Sequence, residues 1–336
     1  MIPDKLKQID QNLIELLRDR LSLLTSSVPS TEEQLACVSQ LLDQAGIPES
    51  IWTTFVNSCH AVLTNQSSVA TVAPKKVTII GGSGRMGKFF SEQLSTAGHN
   101  VSLLDRKDWE DAERLLGGAD LVLVSVPIEQ TVDIIKRAAQ YMKPTAALAD
   151  ITSIKTEPVQ AMLEHYSGAV MGLHPMFGPN VKSFAGQKIV VCSGRNDESF
   201  QWLLDLMSSQ GGDLIECTPE EHDHLMVIIQ ATRHFSRFSL GMYLAQEKVD
   251  VDRSLSMSSP SYRQEIDIVK RLFAQSPNLC VDIMLATEDR CLAIESLANA
   301  YNHLAKLVIQ KDRATLIKEF ENTQSFFKSQ QLAISC

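Results

Sequence analysis

The chain has 336 residues, 44% of them apolar, and a formal net charge of −9. That length and apolar content suffice for the cores of two or three domains, while the acidic balance argues against nucleic acid as the main partner. The opening residues MIPDKLKQID are charged and no apolar run is long enough to span a bilayer, so a soluble, cytoplasmic protein is expected, with no membrane partner. Seven cysteines (Cys37, Cys59, Cys192, Cys217, Cys280, Cys291, Cys336) are scattered and form no CxxC pair. That usage predicts reduced thiols and no zinc site. An anionic small substrate stays compatible with the net charge, because a few local arginines reverse the field inside a pocket.

Residues 1–64 read as helices. Ile9, Leu13, Leu16, Leu17, Leu21 and Leu24 recur at three- and four-residue spacing, VPST interrupts, and helical patterns resume over Glu32 to Ala45 and Glu49 to Leu63. A small, polar stretch, 65–75, has the composition of a linker and contains Pro74. From 76 to 217 the period changes. The short apolar runs VTII, VSLLD, LVLVSVP, AALAD, AVMGL, KIVVC and DLIEC alternate with amphipathic segments. Such strands, covered on both faces, predict an α/β fold: a Rossmann-type doubly wound parallel sheet. Then TPEE has the form of a capping box, with Thr218 at N-cap, Pro219 at N1 and Glu221 reaching back. Residues 218–336 read as a C-terminal all-helical domain whose apolar stripes need a partner, which predicts a substrate-closing or homodimerising role.

Gly82-Ser83-Gly84-Arg85-Met86-Gly87 matches GxGxxG. It follows a strand, opens a helix, and is followed by a second strand ending in Asp105, the context a dinucleotide fingerprint requires. In that reading Gly82 permits the tight turn, Gly84 lets the backbone approach a pyrophosphate, and Gly87 allows close helix–strand packing. The helix N-terminus holds the phosphate charge. Asp105 would accept hydrogen bonds from ribose hydroxyls and repel a 2′-phosphate, which favours NAD; its neighbour Arg106 would hold that phosphate, so NADP stays open.

Ligands in open α/β sheets bind at the carboxyl ends of the strands. Ser125, Val126 and Pro127 close one strand, and Asp150, Ser153 and Lys155 another. The next ends in GLHPMFGP, where His174 at a strand end beside the cofactor cleft is suited to acid–base work. The run Glu221-His222-Asp223-His224 has metal-binding residue types, but consecutive positions point around a helix instead of converging, so no metal is expected.

VTIIGGSGRMG, VSVPI, GLHPMFGP, QATRHF and SSPSYRQEIDIVKRLFAQSP together resemble the prephenate dehydrogenase family of tyrosine biosynthesis. The likeness is nearest to its bifunctional branch, in which a chorismate mutase domain precedes the dehydrogenase. The resemblance covers nearly the whole chain. It implies NAD-dependent oxidative decarboxylation of prephenate to 4-hydroxyphenylpyruvate. His174 matches the family's catalytic histidine, Ser153 lies in its serine-containing strand end, and Lys155 matches a lysine near the same site. Arg271 matches the carboxylate-binding arginine, and Arg263, eight residues earlier, lies about 80° away around one helix. His234 matches a histidine tied to substrate recognition and to tyrosine feedback.

The resemblance breaks in two places. LKQIDQNLIELLRDRL resembles the first mutase helix, but Lys7 stands where the family has arginine, and no lysine or arginine occurs from Leu21 to Pro74. Buried dianions need paired cations, so a mutase-like remnant without mutase activity is expected. Cys280 replaces a tyrosine of the bifunctional relatives. Arogenate in place of prephenate, a catalytically silent nucleotide-binding subunit, and a generic β-hydroxyacid dehydrogenase stay open; the last predicts neither GLHPMFGP nor the arginine-bearing helix.

Overall fold

All seven apolar runs become strands of one sheet: β1 (Lys76–Ile80), β2 (Asn100–Leu104), β3 (Leu121–Val124), β4 (Ala147–Asp150), β5 (Ala169–Pro175), β6 (Lys188–Arg195) and β7 (Asp213–Glu216). The computed structural model describes residues 3–24, 29–67 and 73–334, and the chain falls into two units, Met1–Asp223 and His224–Cys336. Cys336 and residues 68–72 of the expected linker lie outside the described residues. The first unit opens with α1 (Asp4–Leu23), α2 (Thr31–Ala45) and α3 (Glu49–Ser67). Ser30 and Glu33 form a reciprocal capping box at the start of α2, which is why the chain restarts a helix directly after the VPST break. The Arg20 guanidinium stacks over the Trp52 and Phe55 rings, 5.7 and 5.1 Å from their centroids, and donates to Gln34 Oε1. One cation thus ties the three helices together. Helix α3 continues to Ser67, so Asn65 to Ser67 are helical and not linker.

The strand order is β2-β1-β3-β4-β5-β6-β7. Strands β1 to β5 pair in parallel, and Ile80, Leu104, Val124 and Asp150 share one register at their carboxyl ends. Between them run α4 (Arg85–Thr96), α5 (Ala112–Gly117), α6 (Ile128–Ala139) and α7 (Thr156–His165). One face of the sheet (Ile79, Leu121, Leu123, Ala149, Leu173) packs on Phe89, Phe90 and Leu94 of α4 and on Leu203 and Met207 of α8 (Gln201–Ser209). The other (Ile80, Leu104, Val122, Val124, Leu148) packs on Leu116, Ile135, Ala138 and Met162. Burial on both faces explains why these strands are apolar without alternation.

The sheet is parallel, as expected, save at one pair: β6 runs antiparallel to β5, and β7 is parallel to β6. The connection 176–187 contains no helix. A parallel return needs a crossover element, whereas a plain loop brings the chain straight back alongside. His174 consequently faces Val190 across an antiparallel ladder. At the end of the unit, Thr218 accepts a hydrogen bond from the Glu221 amide and starts α9 (Pro219–Met226).

The second unit is helical. A π-helical turn, Val227–Thr232, leads into α10 (Arg233–Gln246), followed by α11 (Val251–Ser256), α12 (Pro260–Phe273), α13 (Pro277–Leu285), α14 (Glu288–Gln310) and α15 (Arg313–Ile334). On α12, Ile266, Val269 and Leu272 form the buried stripe, with Arg263 and Arg271 on exposed positions. Leu272 packs with Cys280 and Met284. Among the described residues, no helix is long and apolar enough to cross a membrane.

Candidate active site

The strand order reverses between β1 and β3, and a cavity of about 360 Å³ opens there at their carboxyl ends. It is lined by the Gly81–Gly84 turn, by Asp105 and Arg106 past β2, and by Ser125, Val126 and Pro127 past β3. Open α/β sheets bind dinucleotides at this switch point. The turn's left-handed residue is Gly81 (φ 79°), one position earlier than the glycine to which sequence assigned it. A side chain there would collide with the Ser125 carbonyl. At Gly87 a Cβ would sit 2.5 Å from the Gly81 carbonyl oxygen, so only glycine lets α4 approach the turn this closely. Gly84 is the N-cap of α4, with its amide bonded back to Gly81, and the exposed start of the helix faces the cavity turn as an anion-binding end.

Four residues of the fingerprint build this turn and do not line the cavity. Gly82 is buried against Leu103, Met86 packs into the core beside Phe89, Gly87 seals the helix–strand contact, and Arg85 is exposed at the first position of α4. Asp105 Oδ1 accepts from the Ser83 amide at 3.3 Å, which holds the carboxylate at the edge of the turn. Both Asp105 and Arg106 border the cavity. Sequence reasoning missed its remaining wall: Trp109, and Gln130, Ile134 and Arg137 from α6. The Arg137 guanidinium lies 3.8 Å from the centroid of the Trp109 ring, giving a flat cationic–aromatic face of the kind that stacks on a purine. The signal was present, because positions 130, 134 and 137 follow the i, i+4, i+7 spacing of one helix face. The residues present therefore fit a nicotinamide dinucleotide: a glycine-rich turn suited to phosphate, in which Ser83 is the one residue with a side chain, a carboxylate suited to ribose hydroxyls and a wall suited to adenine.

Two strands along, His174 is buried near the end of β5. Its Nδ1 lies 2.7 Å from Nε2 of His222, whose Nδ1 lies 2.8 Å from Oδ1 of Asp223. Asp223 also accepts from the Lys155 amide (Oδ1, 2.8 Å) and the Thr156 amide (Oδ2, 2.8 Å) at the start of α7. Burial alone would raise this carboxyl, but hydrogen bonds from His222 and from Thr156 and Lys155 outweigh it and hold its pKa down at about 2. His222 and Asp223 fall in the run from which sequence reasoning expected no metal site and drew no other role. Pointing around a helix excludes a shared metal, but not one residue reaching inward while its neighbour bonds it.

Ser153 is buried in the loop between β4 and α7. Lys155, expected near the same site, lies in the interior beside β5. Its side chain is wholly buried, paired with Asp150, with Nζ donating to the Leu173 carbonyl at 2.8 Å. It ties β4 to β5 immediately before His174. Burial pushes the Asp150 carboxyl up, against the opposing pull of the Lys155 ammonium.

The other expected substrate residues belong to the second unit, described by itself. Arg263 donates to the Leu255 carbonyl at 2.9 Å, fastening α11 to α12, and Arg271 Nε donates to the Asp267 carbonyl at 3.3 Å. His234 is buried on α10 with Nδ1 2.7 Å from the Gln230 carbonyl. Burial lowers its pKa, with Arg233 and Arg290 adding to the effect and the Gln230 carbonyl opposing it.

A dinucleotide cradle at the switch point of a doubly wound sheet, two strands from a buried histidine, defines the class as a nicotinamide-dependent dehydrogenase. The model described as "Prephenate dehydrogenase, nucleotide-binding domain" matches residues 90–216, and "Prephenate dehydrogenase, dimerization domain" matches 218–322. The chain belongs to the prephenate dehydrogenase family. It is 35% identical to the T-protein of Haemophilus influenzae over 96% of this chain and 90% of that protein. With the T-protein of Enterobacter agglomerans it shares 35% identity over 96% and 91%. The fold matches prephenate dehydrogenase from Aquifex aeolicus, solved with hydroxyphenyl propionate and NAD+, at a TM-score of 0.59 and 19% identity. That match covers 76% of this chain and 97% of the other.

Proposed function

We propose that this protein oxidises prephenate with NAD, releasing carbon dioxide and 4-hydroxyphenylpyruvate. The observation that carries this is His174, buried on β5 beside the cofactor end of the sheet, in a chain 35% identical to T-proteins over nearly its whole length. NAD, when bound, supplies the hydride acceptor. His174 accepts the proton of the ring hydroxyl as the carbon that bears it loses hydride. The ring carboxylate leaves as carbon dioxide, and the electron pair it leaves behind restores the aromatic ring. The oxygen takes its proton back, so none is consumed overall. Ser153 orients the hydroxyl and His174. Arg271 and, eight residues earlier on α12, Arg263 supply the fixed positive charge for the substrate carboxylates, and His234 contacts the side chain, where tyrosine would also be sensed. Asp105 favours NAD over NADP through the ribose hydroxyls.

The test is NAD(P)H formation with prephenate or arogenate and each cofactor, plus an arm with chorismate alone. Prephenate with NAD is expected to be the fastest pair, and chorismate is expected to stay unconverted, because the Arg20 guanidinium is already taken up by Trp52, Phe55 and Gln34. No turnover with any of the four pairs removes the enzyme reading, and prephenate formed from chorismate removes the reading of residues 1–64 as a remnant.

The helical unit carries the second reading, a homodimer. Leu304, Val308 and Ile309 of α14 and Phe320, Phe326 and Phe327 of α15 are exposed apolar residues that water would not otherwise favour. Light scattering is expected to give twice the chain mass; a monomer at micromolar concentration removes this reading.

A further inference from the structure

We propose that Asp223 and His222 are positioning residues that fix the tautomer of His174, so that its Nε2 carries the lone pair that takes the substrate proton. The inference rests on the reading of His174 as the base and assigns roles to two residues that the sequence pattern passed over.

Asp223 accepts from two backbone amides, Lys155 and Thr156, and an amide can only donate. Those amides are the first of α7, whose positive end favours an anion. Asp223 is therefore held ionised, in keeping with its depressed pKa. An ionised carboxylate offers no hydrogen, so the 2.8 Å contact with His222 Nδ1 requires the hydrogen to be on His222. In neutral His222 the proton on Nδ1 leaves Nε2 as an acceptor. The 2.7 Å contact between His222 Nε2 and His174 Nδ1 then requires the hydrogen on His174. With Nδ1 protonated, neutral His174 has its basic lone pair on Nε2. The two rings stand at 73° to each other, so His174 is held by direction as well as by hydrogen bonding.

When Nε2 takes the hydroxyl proton, the positive charge forms in a buried site next to an acceptor already polarised by Asp223. The charged and titratable groups around the relay come from every neighbouring element: His174 from β5, Asp150 from β4, Lys155 before α7 and Cys217 after β7. Lys155 and Asp150 neutralise one another, and burial keeps the Cys217 thiol protonated by raising its pKa. Glu221 is exposed on the same helix, so Asp223 is the carboxylate that the imidazolium would feel through His222.

The experiment uses the full chain. In the wild type, nitrogen-15 shifts of the imidazoles are expected to place the His174 proton on Nδ1 and the His222 proton on Nδ1. Asp223→Asn is expected to lower kcat by about 10²- to 10⁴-fold, the range from general-base loss to a mis-set triad tautomer. The KM for prephenate and the affinity for NAD, read from tryptophan fluorescence, are expected to stay within about twofold, since the relay touches neither ligand. Losing the anion lowers the basicity of His174, so the acid limb of the kcat profile moves to lower pH. His222→Gln, whose amide oxygen can still accept from His174 Nδ1, is expected to keep more activity than His222→Phe.

A His174 proton on Nε2 in the wild type overturns the relay, as does a full kcat and unshifted pH profile in Asp223→Asn. The base assignment fails separately: it falls if His174→Asn turns over normally, whatever the shifts say.

Discussion

His174→Asn is expected to cut kcat for prephenate oxidation by about 10²- to 10⁴-fold, the usual contribution of a positioned general base. Asparagine retains a side-chain amide that can meet His222, so the buried pocket keeps a polar partner and the fold is expected to survive. KM should change little, because the histidine's role is realised as the proton leaves. Arg271→Ala should behave oppositely. A guanidinium on a substrate carboxylate acts in the ground state and the transition state alike, and a charged hydrogen bond is worth about 1.5–3 kcal/mol, or roughly 10- to 100-fold in KM. Steady-state kinetics on the two variants checks both roles. Equal effects on kcat and KM in both proteins would refute the division of labour.

Lys155→Met is expected to destabilise the first unit by about 3–5 kcal/mol at neutral pH, the usual result of leaving one partner of a buried ion pair alone. Asp150 would be wholly buried beside an apolar side chain, and the Leu173 carbonyl would lose its donor. The pH dependence has a definite sign. A lone buried carboxyl has a folded pKa above its unfolded value, so the folded state binds the extra proton, and stability falls as pH rises. The deficit against wild type should therefore shrink as pH drops toward about 4, the range of an unperturbed aspartate. Replacing both partners, Asp150→Leu with Lys155→Met, should recover much of the loss, because it removes the charge together with its counter-charge. Urea denaturation across pH measures this; a deficit that grows on acidification would mean that Lys155 does not hold Asp150 in its charged form.

Period and turn chemistry made most of the fold legible. All seven strands lie where apolar runs are bounded by glycine and polar residues, and the glycine loop, its helix and Asp105 sit in the predicted order. Strand direction was less accessible. It depends on whether a connection contains a helix, and the polar, glycine-containing segment 176–187 gives no positive sign of the hairpin-like return it makes. At the site, residue type located His174, but not what lies behind it. His222 and Asp223 are adjacent in sequence and 48 or more positions from His174, so their pairing follows from how β5 and the start of α9 meet. Lys155 shows the reverse limit: proximity to a site was readable, and only burial revealed that its charge is spent on Asp150.

The spacing of the strands has a consequence for how this protein can change. The cavity at the switch point hangs from β2, β3 and α6, whereas the chain His174–His222–Asp223 hangs from β5 and the start of α9. Between β3 and β5 stands β4, and two strand spacings amount to about 10 Å. At that separation substitutions usually combine additively. Under the proposed roles of Asp105 and Arg106, cofactor preference can thus drift by exchange there or at Arg137 while the His174 chain stays as it is. Selection meets two traits on separate supports, and neither has to wait for the other.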